Sequence, residues 1–462
     1  MFIDFLLALF RDHAAKDAIV WNGQVCNYGW LNQRVSYWSE FIASHGVERG
    51  AVTAIEADFS PNSIALMLAL IEQGCILVPM AASAEAKKPE FLKVAETELS
   101  FKINSSDEIA LERFPNRASH PIYSRLRDEG HPGLVLFSSG STGKSKAAVH
   151  EFVGILEKFK VRRNSLRTLT FLLYDHIGGI NTLLYTLSNT GCIVTVQDSS
   201  PDAVLRAVEK YRVELLPTSP TFLNLLILSE AYQRHNTATL RTITYGTEPM
   251  LESTLRRSRE IFPQVTFQQT YGLSEVGILR SKSRSSDSLW VKVGGEGFET
   301  RVVDGMLQIK ASSAMLGYLN APSPFTEDGW FITGDTVDVD GEYLRFLGRK
   351  SEIINVGGEK VHPAEVESTI SELTNIAEVT VFGEKNSITG NIVSARIRLL
   401  EEEDPKAVRI RVKAYCLERL QPFKVPARIE ITAGTQYSER FKKMRTLPQP
   451  TETAVTPKPD ET

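Results

Sequence analysis

The sequence LVLFSSGSTGKSKAAVH, residues 134–150, joins an apolar run to a loop rich in glycine, hydroxyl groups and lysine. The apolar run predicts a buried strand, and the glycines let backbone N–H groups converge on an anion. The hydroxyl groups add donors and the lysines neutralise charge, as nucleotide phosphates require. A flexible surface loop has the same composition, but the position directly after a buried strand favours phosphate binding.

The spacing of this loop argues against a P-loop ATPase or kinase. The Walker A motif, G-x-x-x-x-G-K-[ST], has its first glycine five residues before the second. Here Gly140 stands only three residues before Gly143, and Ser138 occupies the position of the first glycine. The loop therefore predicts a phosphate site of another class.

Length and charge narrow the function further. The chain has 462 residues, which predicts a large domain with a smaller partner. Lys+Arg 52 against Asp+Glu 56 gives a net charge of −4, so no positive field exists to attract nucleic acid or anionic lipid. The four cysteines form no CxxC pair, which argues against a zinc site or a disulfide framework. We expect small-molecule chemistry.

The opening segment MFIDFLLALF is apolar but too short to span a bilayer, and no basic segment precedes it. It predicts a docking helix in a cytoplasmic protein without membrane insertion.

Further along the chain, apolar helices alternate with buried strands, which is typical of an α/β fold. Residues 61–73 predict a helix that ends at Gly74, and Ile76 to Val78 a strand. A second group follows, with helices over 202–211 and 221–232 and a strand between them.

From about Ser288 the sequence changes to short strands punctuated by glycine. The turns Asp304-Gly305 and Asp340-Gly341 predict antiparallel hairpins. Beyond a boundary at 348–351 the pattern is α+β, with helices over 363–374 and 405–420 and strands over 376–382 and 391–400. The predicted domains are 1–348 and 349–446, followed by a disordered tail over 447–462.

The segment SSGSTGKSK resembles the signature [ST]-[ST]-G-[ST]-T-G-x-P-K of the adenylate-forming superfamily, which includes acyl-CoA synthetases, peptide-synthetase adenylation domains and beetle luciferases. Ser145 stands where the signature has proline. The resemblance implies that Lys146 is catalytic. It also implies phosphate contacts from Ser138, Ser139, Gly140, Ser141, Thr142 and Gly143.

Two later segments resemble the superfamily's adenine and metal elements. YGTEPM (245–250) resembles the G-x-x-P stretch that lines the adenine pocket, and TYGLSEVG (270–277) resembles Y-G-x-T-E. Tyr271 can stack on adenine, Ser274 can bond an α-phosphate oxygen and Glu275 can hold Mg²⁺. The other candidates in these segments are Gly246, Thr247, Glu248, Pro249, Thr270 and Gly272.

The segment GWFITGDTVDVDGEYLRFLGRKSEIINVGGEKVHPAEVE (329–367) resembles three further superfamily elements in order. It implies that Asp335 and Arg349 bind the ribose, that Ser351 is a hinge, and that Gly357-Gly358 approach the thiol channel. The implied fold is α/β: a large N-terminal domain of stacked α/β subdomains plus a distorted antiparallel β subdomain, with a small mobile α+β C-terminal domain. The resemblance further implies that 1–348 binds ATP and the acid and that 349–446 is the mobile catalytic domain.

The superfamily's C-terminal catalytic lysine follows a glycine, and here Phe441 occupies the glycine position. Lys442 is the implied catalytic residue, with Lys443 as the rival. A solvated basic segment is the alternative interpretation.

Two superfamily interpretations are possible for the acid-binding residue. Asp175 resembles the amino-acid-binding aspartate of peptide-synthetase domains, and His176 resembles the histidine of acyl- and aryl-CoA ligases. From His176 to Gly191 is 191 − 176 = 15 residues, which matches acyl- and aryl-CoA ligases and favours a non-amino carboxylic acid, fatty or aromatic. An oriented core histidine is the structural alternative.

The resemblance implies an acid–thiol ligase that uses ATP, Mg²⁺ and coenzyme A. An alternative is an adenylation enzyme that loads the phosphopantetheine of an acyl carrier protein. A non-catalytic nucleotide-binding homologue is the alternative from a different class, since Ser145, Ser351 and Phe441 depart from the superfamily pattern.

Overall fold

The computed structural model describes residues 1–139, 145–170, 172–438 and 441–445. The predicted tail, 447–462, lies outside them. Contacts within the chain divide it into two compact units, Met1–Ser351 and Glu352–Thr462.

The helices of the first unit are α1 Asp4–Asp12, α2 Tyr28–Ser44, α3 Pro61–Gln73, α4 Lys88–Val94, α5 Pro121–Glu129, α6 Phe152–Glu157, α7 Ile177–Ser188, α8 Pro201–Tyr211, α9 Pro220–Ser229 and α10 Glu252–Ile261.

Its strands up to residue 269 are β1 Asp17–Trp21, β2 Gln24–Asn27, β3 Val52–Glu56, β4 Ile76–Met80, β5 Leu99–Ile103, β6 Ile109–Arg113, β7 Gly133–Ser139, β8 Ser145–Glu151, β9 Arg167–Thr170, β10 Cys192–Thr195, β11 Leu215–Thr218, β12 Thr242–Tyr245 and β13 Thr266–Gln269. The later ones are β14 Gly272–Leu273, β15 Gly277–Ile278, β16 Arg280–Ser283, β17 Trp290–Gly294, β18 Phe298–Val303, β19 Met306–Ala311, β20 Gly317–Tyr318, β21 Phe331–Asp340 and β22 Tyr343–Arg349.

Among the described residues these strands form three main sheets. Sheet A has the order β13-β12-β11-β9-β10-β1-β2 and is parallel except for β2. Sheet B, β20-β8-β7-β4-β3-β5-β6, is parallel at its centre and antiparallel toward both edges. Sheet C, β16-β17-β22-β21-β19-β18, is antiparallel throughout. The predicted α/β class and the antiparallel subdomain are therefore confirmed.

Helix α3 shows why local sequence predicted the fold well. Ser60 caps it reciprocally with Ser63, Pro61 occupies its first turn, and Gly74 ends it at φ +82°. Apolar residues surround the helix on all sides, and it is buried over nearly its whole length. Helices α1, α2 and α7 contribute to the same hydrophobic core.

The apolar N-terminal segment forms α1, whose buried side chains are Leu6 and Phe10. The predicted helix is confirmed, and it packs into the hydrophobic core of the first unit. In the described part of the chain no helix has the length and apolar character needed to cross a membrane.

The second unit is α+β. Its elements are β23 Ile354–Val356, β24 Glu359–Val361, α11 Pro363–Ile370, β25 Ile376–Asn386, β26 Gly390–Leu399, α12 Pro405–Arg419 and β27 Arg428–Ile431. Strands β25, β26 and β27 form a sheet that shares a core with α11 and α12.

Helix α11 ends four residues before the predicted position 374. Asn375 takes a left-handed φ of +65°, and its amide hydrogen-bonds to the Glu401 backbone, so the chain turns early into β25.

Candidate active site

Asp335 lies on the β21–β22 hairpin and contacts Arg349 and Tyr271; we call these three residues the Asp335 cradle. Its register partner is Arg349, whose Nε is 3.2 Å from Asp335 Oδ1. The Tyr271 hydroxyl donates to Asp335 Oδ2 at 2.6 Å. Burial, and then the Asp335 charge, raises the pKa of Tyr271 well above its ordinary value, so the phenol stays a donor. Asp335 is thus a buried, oriented carboxylate.

The Tyr271 ring is fixed as well as its hydroxyl. One face stacks on Phe346, with ring centroids 4.3 Å apart and planes at 19°. The sequence-predicted adenine-stacking and ribose-binding residues are therefore brought into direct contact.

The 246–249 segment follows β12, next to the end of β13. A Cβ on Gly246 would lie 2.7 Å from the Thr270 carbonyl oxygen, so only glycine fits there. The exposed Thr247 takes φ +72°, a strained conformation for a β-branched residue. Glu248 Oε1 accepts the Thr221 N–H at 2.7 Å in the first turn of α9.

Glu275 lies in a turn that contacts β20. The Tyr318 hydroxyl donates to Glu275 Oε1 at 2.7 Å, and the Met315 N–H donates to the Glu275 carbonyl at 2.8 Å. Lys146 Nζ stands 5.3 Å from the centroid of the Tyr318 ring. Burial, and then Glu275, raises the pKa of Tyr318, which keeps this phenol protonated. Lys146 and Glu275 thus both contact the Tyr318 side chain, Lys146 at the ring and Glu275 at the hydroxyl.

The buried His150 holds the backbone of the same turn. Its Nε2–H donates to the Ser274 carbonyl, and Nδ1 faces the Ser313 carbonyl at 3.4 Å. Burial lowers the pKa of His150, so the ring is neutral.

The glycine-rich segment lies between β7 and β8, where Ser138 pairs with Lys146 and Ser139 with Ser145. Ser145, at the signature's proline position, is the first residue of β8. Its carbonyl accepts from Asn320 Nδ2 at 2.8 Å. The predicted phosphate contacts Gly140, Ser141, Thr142 and Gly143 lie outside the described residues.

His176 is the N-cap of α7 and follows the buried Asp175. Gly179 lets this helix begin here, because a Cβ at that position would lie 1.9 Å from the Leu173 carbonyl oxygen. The chain ahead of α7 therefore packs directly on its first turn.

In the second unit, Gly357 and Gly358 form the turn between β23 and β24. They take φ of +60° and +95°, and the Gly358 N–H donates to Asn355 Oδ1 at 3.1 Å. Both glycines are needed for their backbone conformation.

The two candidate lysines have different surroundings. Lys443 Nζ is 2.9 Å from Oε2 of Glu367, a buried carboxylate that Arg445 also binds. Lys442 is exposed. Phe441 takes φ +50°, the left-handed conformation that glycine adopts without strain.

Sequence reasoning missed four of these side chains. Tyr318 and Asn320 lie in the segment GYLN, where an aromatic and an amide follow a glycine among predicted hairpins. His150 ends the quoted glycine-rich stretch, and Phe346 lies between Arg345 and Leu347 on β22. Only the segment GYLN carried a local sequence pattern from which its residues could have been selected as candidates.

Residues 9–304 match the model of the AMP-binding enzyme family, and residues 365–440 match its C-terminal domain. Indoleacetate–CoA ligase of Aromatoleum aromaticum is 30% identical over 299 residues, which is 58% of either chain. The matched part is thus little more than half of that relative.

Two solved structures resemble this chain over nearly its full length. The anthranilate CoA ligase AuaEII, in complex with anthranoyl-AMP, has a TM-score of 0.80 at 17% identity, covering 96% of this chain and 95% of that one. The amide bond synthetase McbA from Marinactinospora thermotolerans has a TM-score of 0.74 at 20% identity, covering 94% and 96%. The chain belongs to the AMP-binding enzyme family, within the adenylate-forming superfamily.

Proposed function

We propose that the protein is an AMP-forming acid–thiol ligase that activates a non-amino carboxylic acid with ATP and transfers the acyl group to coenzyme A. Membership of the AMP-binding enzyme family supports this class of reaction. The observation that carries it is the contact between Tyr271 and Asp335, since a nucleoside needs both an aromatic face and an acceptor for its ribose hydroxyls.

In the first half-reaction, a carboxylate oxygen of the acid attacks the α-phosphorus of ATP. The bond from that phosphorus to the bridging oxygen breaks, and pyrophosphate leaves with the electron pair. In the second, a thiolate attacks the acyl carbon and AMP leaves. No side chain acts as nucleophile, so catalysis consists of positioning and charge stabilisation.

The nucleotide is held by the Asp335 cradle and by the segment 246–249 beside it. Arg349 and Tyr271 hold the Asp335 carboxylate in one orientation, in which its oxygens can act as acceptors for the ribose hydroxyls. Lys146 supplies positive charge to the phosphates.

Glu275 fits a magnesium ligand. Oε1 accepts from Tyr318, and Oε2 has no hydrogen-bond partner among the described residues, so the carboxylate can face a hard cation. Bound there, Mg²⁺ would neutralise phosphate charge, while Tyr318 holds the carboxylate in one orientation.

Lys442 is our choice for the C-terminal catalytic lysine. Lys443 compensates the buried charge of Glu367 and is committed to the core of the second unit. The left-handed φ of Phe441 reproduces a glycine conformation directly before Lys442, which supports this alignment. It also weakens the case for a non-catalytic homologue, because the departure at Phe441 leaves the backbone conformation intact.

The acid lies beside the first turn of α7, and the spacing from His176 favours fatty or aromatic acids. Coenzyme A is the proposed thiol, a carrier-protein phosphopantetheine is the second candidate, and a cytoplasmic location belongs to the same proposal.

The test is ATP–pyrophosphate exchange with a panel of fatty and aromatic acids, followed by addition of coenzyme A or a phosphopantetheinylated carrier protein. We expect acid-dependent exchange, release of AMP and an acyl thioester. Asp335→Ala should abolish exchange. Asp338→Ala is the matched control, because Asp338 lies on the same strand and pairs with Arg345. Absence of exchange with every acid, or release of ADP, would refute the proposal.

A further inference from the structure

A small cavity opens between the first turn of α7 and the strand that follows Glu275. Its apolar walls are Ile155, Phe159 and Ile177, and the Gly277 backbone closes one side. Ile177 directly follows His176, and Gly277 lies two residues after Glu275. The cavity is therefore adjacent to the proposed position of the acid substrate, beside the first turn of α7, and to Glu275, the proposed magnesium ligand.

Lys158 lines this cavity from the end of α6. Its Nζ donates to the Ile278 carbonyl at 3.1 Å. An ammonium group has three hydrogens to donate, and no carboxylate of the described residues lies within salt-bridge distance of Lys158. The charged groups that face it are Arg163 and Arg280, both cationic, and burial together with these arginines lowers the pKa of Lys158 to about 8.

Two further polar side chains line the cavity. The Asn181 amide, on α7, has no hydrogen-bond partner within the described part of the chain, and the Ser313 hydroxyl donates to the Val276 carbonyl at 3.0 Å. Ammonium, amide and hydroxyl groups therefore line a cavity whose other side chains are apolar.

The geometry points to Lys158 and Asn181 as the binding site for a second carboxylate at the far end of the acid substrate. This inference rests on the proposed function and refines it: the preferred acids are dicarboxylic, activated at one end and held at the other.

The cost of burying Lys158 supports this assignment. A partly buried cation among other cations is unfavourable unless an anion pairs with it, and one backbone carbonyl does not supply the missing charge. Methionine has similar length and would occupy the same position without that cost. A substrate carboxylate provides the absent partner.

The experiment measures kcat/KM in pyrophosphate exchange for straight-chain α,ω-dicarboxylates and for monocarboxylates of equal length. The informative quantity is the diacid-to-monoacid ratio. Lys158→Met should lower that ratio by about tenfold or more, since it removes a charge-assisted hydrogen bond. Lys158→Arg should restore most of it. Lys160→Met is the control, because Lys160 is exposed and pairs with Glu157.

Asn181→Asp tests the opposite wall. It places a negative charge in the cavity without changing side-chain size, so the ratio should fall even though Lys158 is intact. Thermal unfolding of each variant checks that the fold is retained.

The pH profile provides an independent measurement. Since the lysine is charged below its lowered pKa, kcat/KM for the diacid should decline as pH rises through about 8, more steeply than for the monoacid. In Lys158→Met the two profiles should run parallel.

The outcomes separate the two proposals. Exchange with monoacids, combined with a diacid ratio that Lys158→Met and Asn181→Asp leave unchanged, would overturn this inference and keep the proposed function. Absence of exchange with every acid would overturn both.

Discussion

Replacing Lys442 and Lys443 one at a time by methionine should separate catalysis from stability. The two residues are adjacent, carry the same charge and are both candidates for the catalytic lysine by sequence. Their surroundings differ, because only Lys443 is known to pair with the buried Glu367.

The loss of folding stability expected for Lys443→Met follows from the contacts of Glu367. Oε1 accepts the Val381 N–H at 2.9 Å and an Arg445 hydrogen, while Oε2 accepts from Lys443 at 2.9 Å and from Arg445 at 3.5 Å. Breaking a buried ion pair costs about 3–5 kcal/mol when one charge is left alone. Arg445 remains here, so we expect about 2–3 kcal/mol.

The pKa of Glu367 shows the stabilising effect of the two cations together. Burial by itself would raise it, but Lys443 and Arg445 lower it from 4.5 to about 2. A change of this size corresponds to roughly 3 kcal/mol of stabilisation. Because the folded-state pKa is the lower one, this stabilisation is present above the unfolded-state pKa and is lost as pH falls from about 4.5 toward 2. Glu367→Gln should remove that part of the acid dependence.

Calorimetry of the full chain and pyrophosphate exchange together provide the assay. In a unit of this size, 2–3 kcal/mol lowers the unfolding temperature by roughly 10–20 °C. Lys442→Met should leave that temperature within a few degrees, because the side chain is exposed, and should reduce adenylation by about 10²-fold or more.

The reversed pattern would refute this reasoning. If Lys443→Met abolishes adenylation at an unchanged unfolding temperature while Lys442→Met remains active, Lys443 is the catalytic lysine and its pair with Glu367 contributes little. Equal losses of stability in both variants would contradict the difference in burial.

Three other changes test the first unit and the Phe441 turn. Tyr271→Phe removes the donor to Asp335 and should raise the KM for ATP about tenfold in pyrophosphate exchange; an unchanged KM would contradict the cradle. Gly246→Ala places a Cβ 2.7 Å from the Thr270 carbonyl oxygen and should cost about 1–3 kcal/mol in denaturant unfolding, whereas wild-type stability would show that the close approach is absent. Phe441→Gly should retain adenylation, measured as pyrophosphate release, because φ +50° suits glycine; its loss would mean that the phenyl ring itself is required.

Elements with local signals were predictable from the sequence. Helix α3 has a cap, a proline and a terminal glycine in sequence order, and the Asp304-Gly305 turn takes the two positive φ values that such hairpins require. The contact between the Gly246 and Thr270 segments also follows from general rules, since parallel strands β12 and β13 end at the same edge of sheet A.

Contacts between distant segments were not predictable. Tyr318 reaches Glu275 across 43 residues, and Lys443 reaches Glu367 across 76. A tyrosine after a glycine, or a glutamate within an apolar helix face, has many explanations until the partner is known. The Lys158 cavity belongs to the same category, because α6, α7 and two later segments each contribute one part.

The segment 270–275 explains how residues from different sheets form one site. The Thr270 hydroxyl donates to the Tyr245 carbonyl at the end of β12 in sheet A, Tyr271 donates to Asp335 in sheet C, and Glu275 accepts from Tyr318 in sheet B. Because these contacts come from neighbouring residues, a shift of one sheet would alter both the Asp335 cradle and the turn that contains Glu275. The chemistry therefore depends on the spacing within this segment, and a one-residue insertion after Gly272 should separate ribose binding from the Glu275 contacts while leaving each sheet intact.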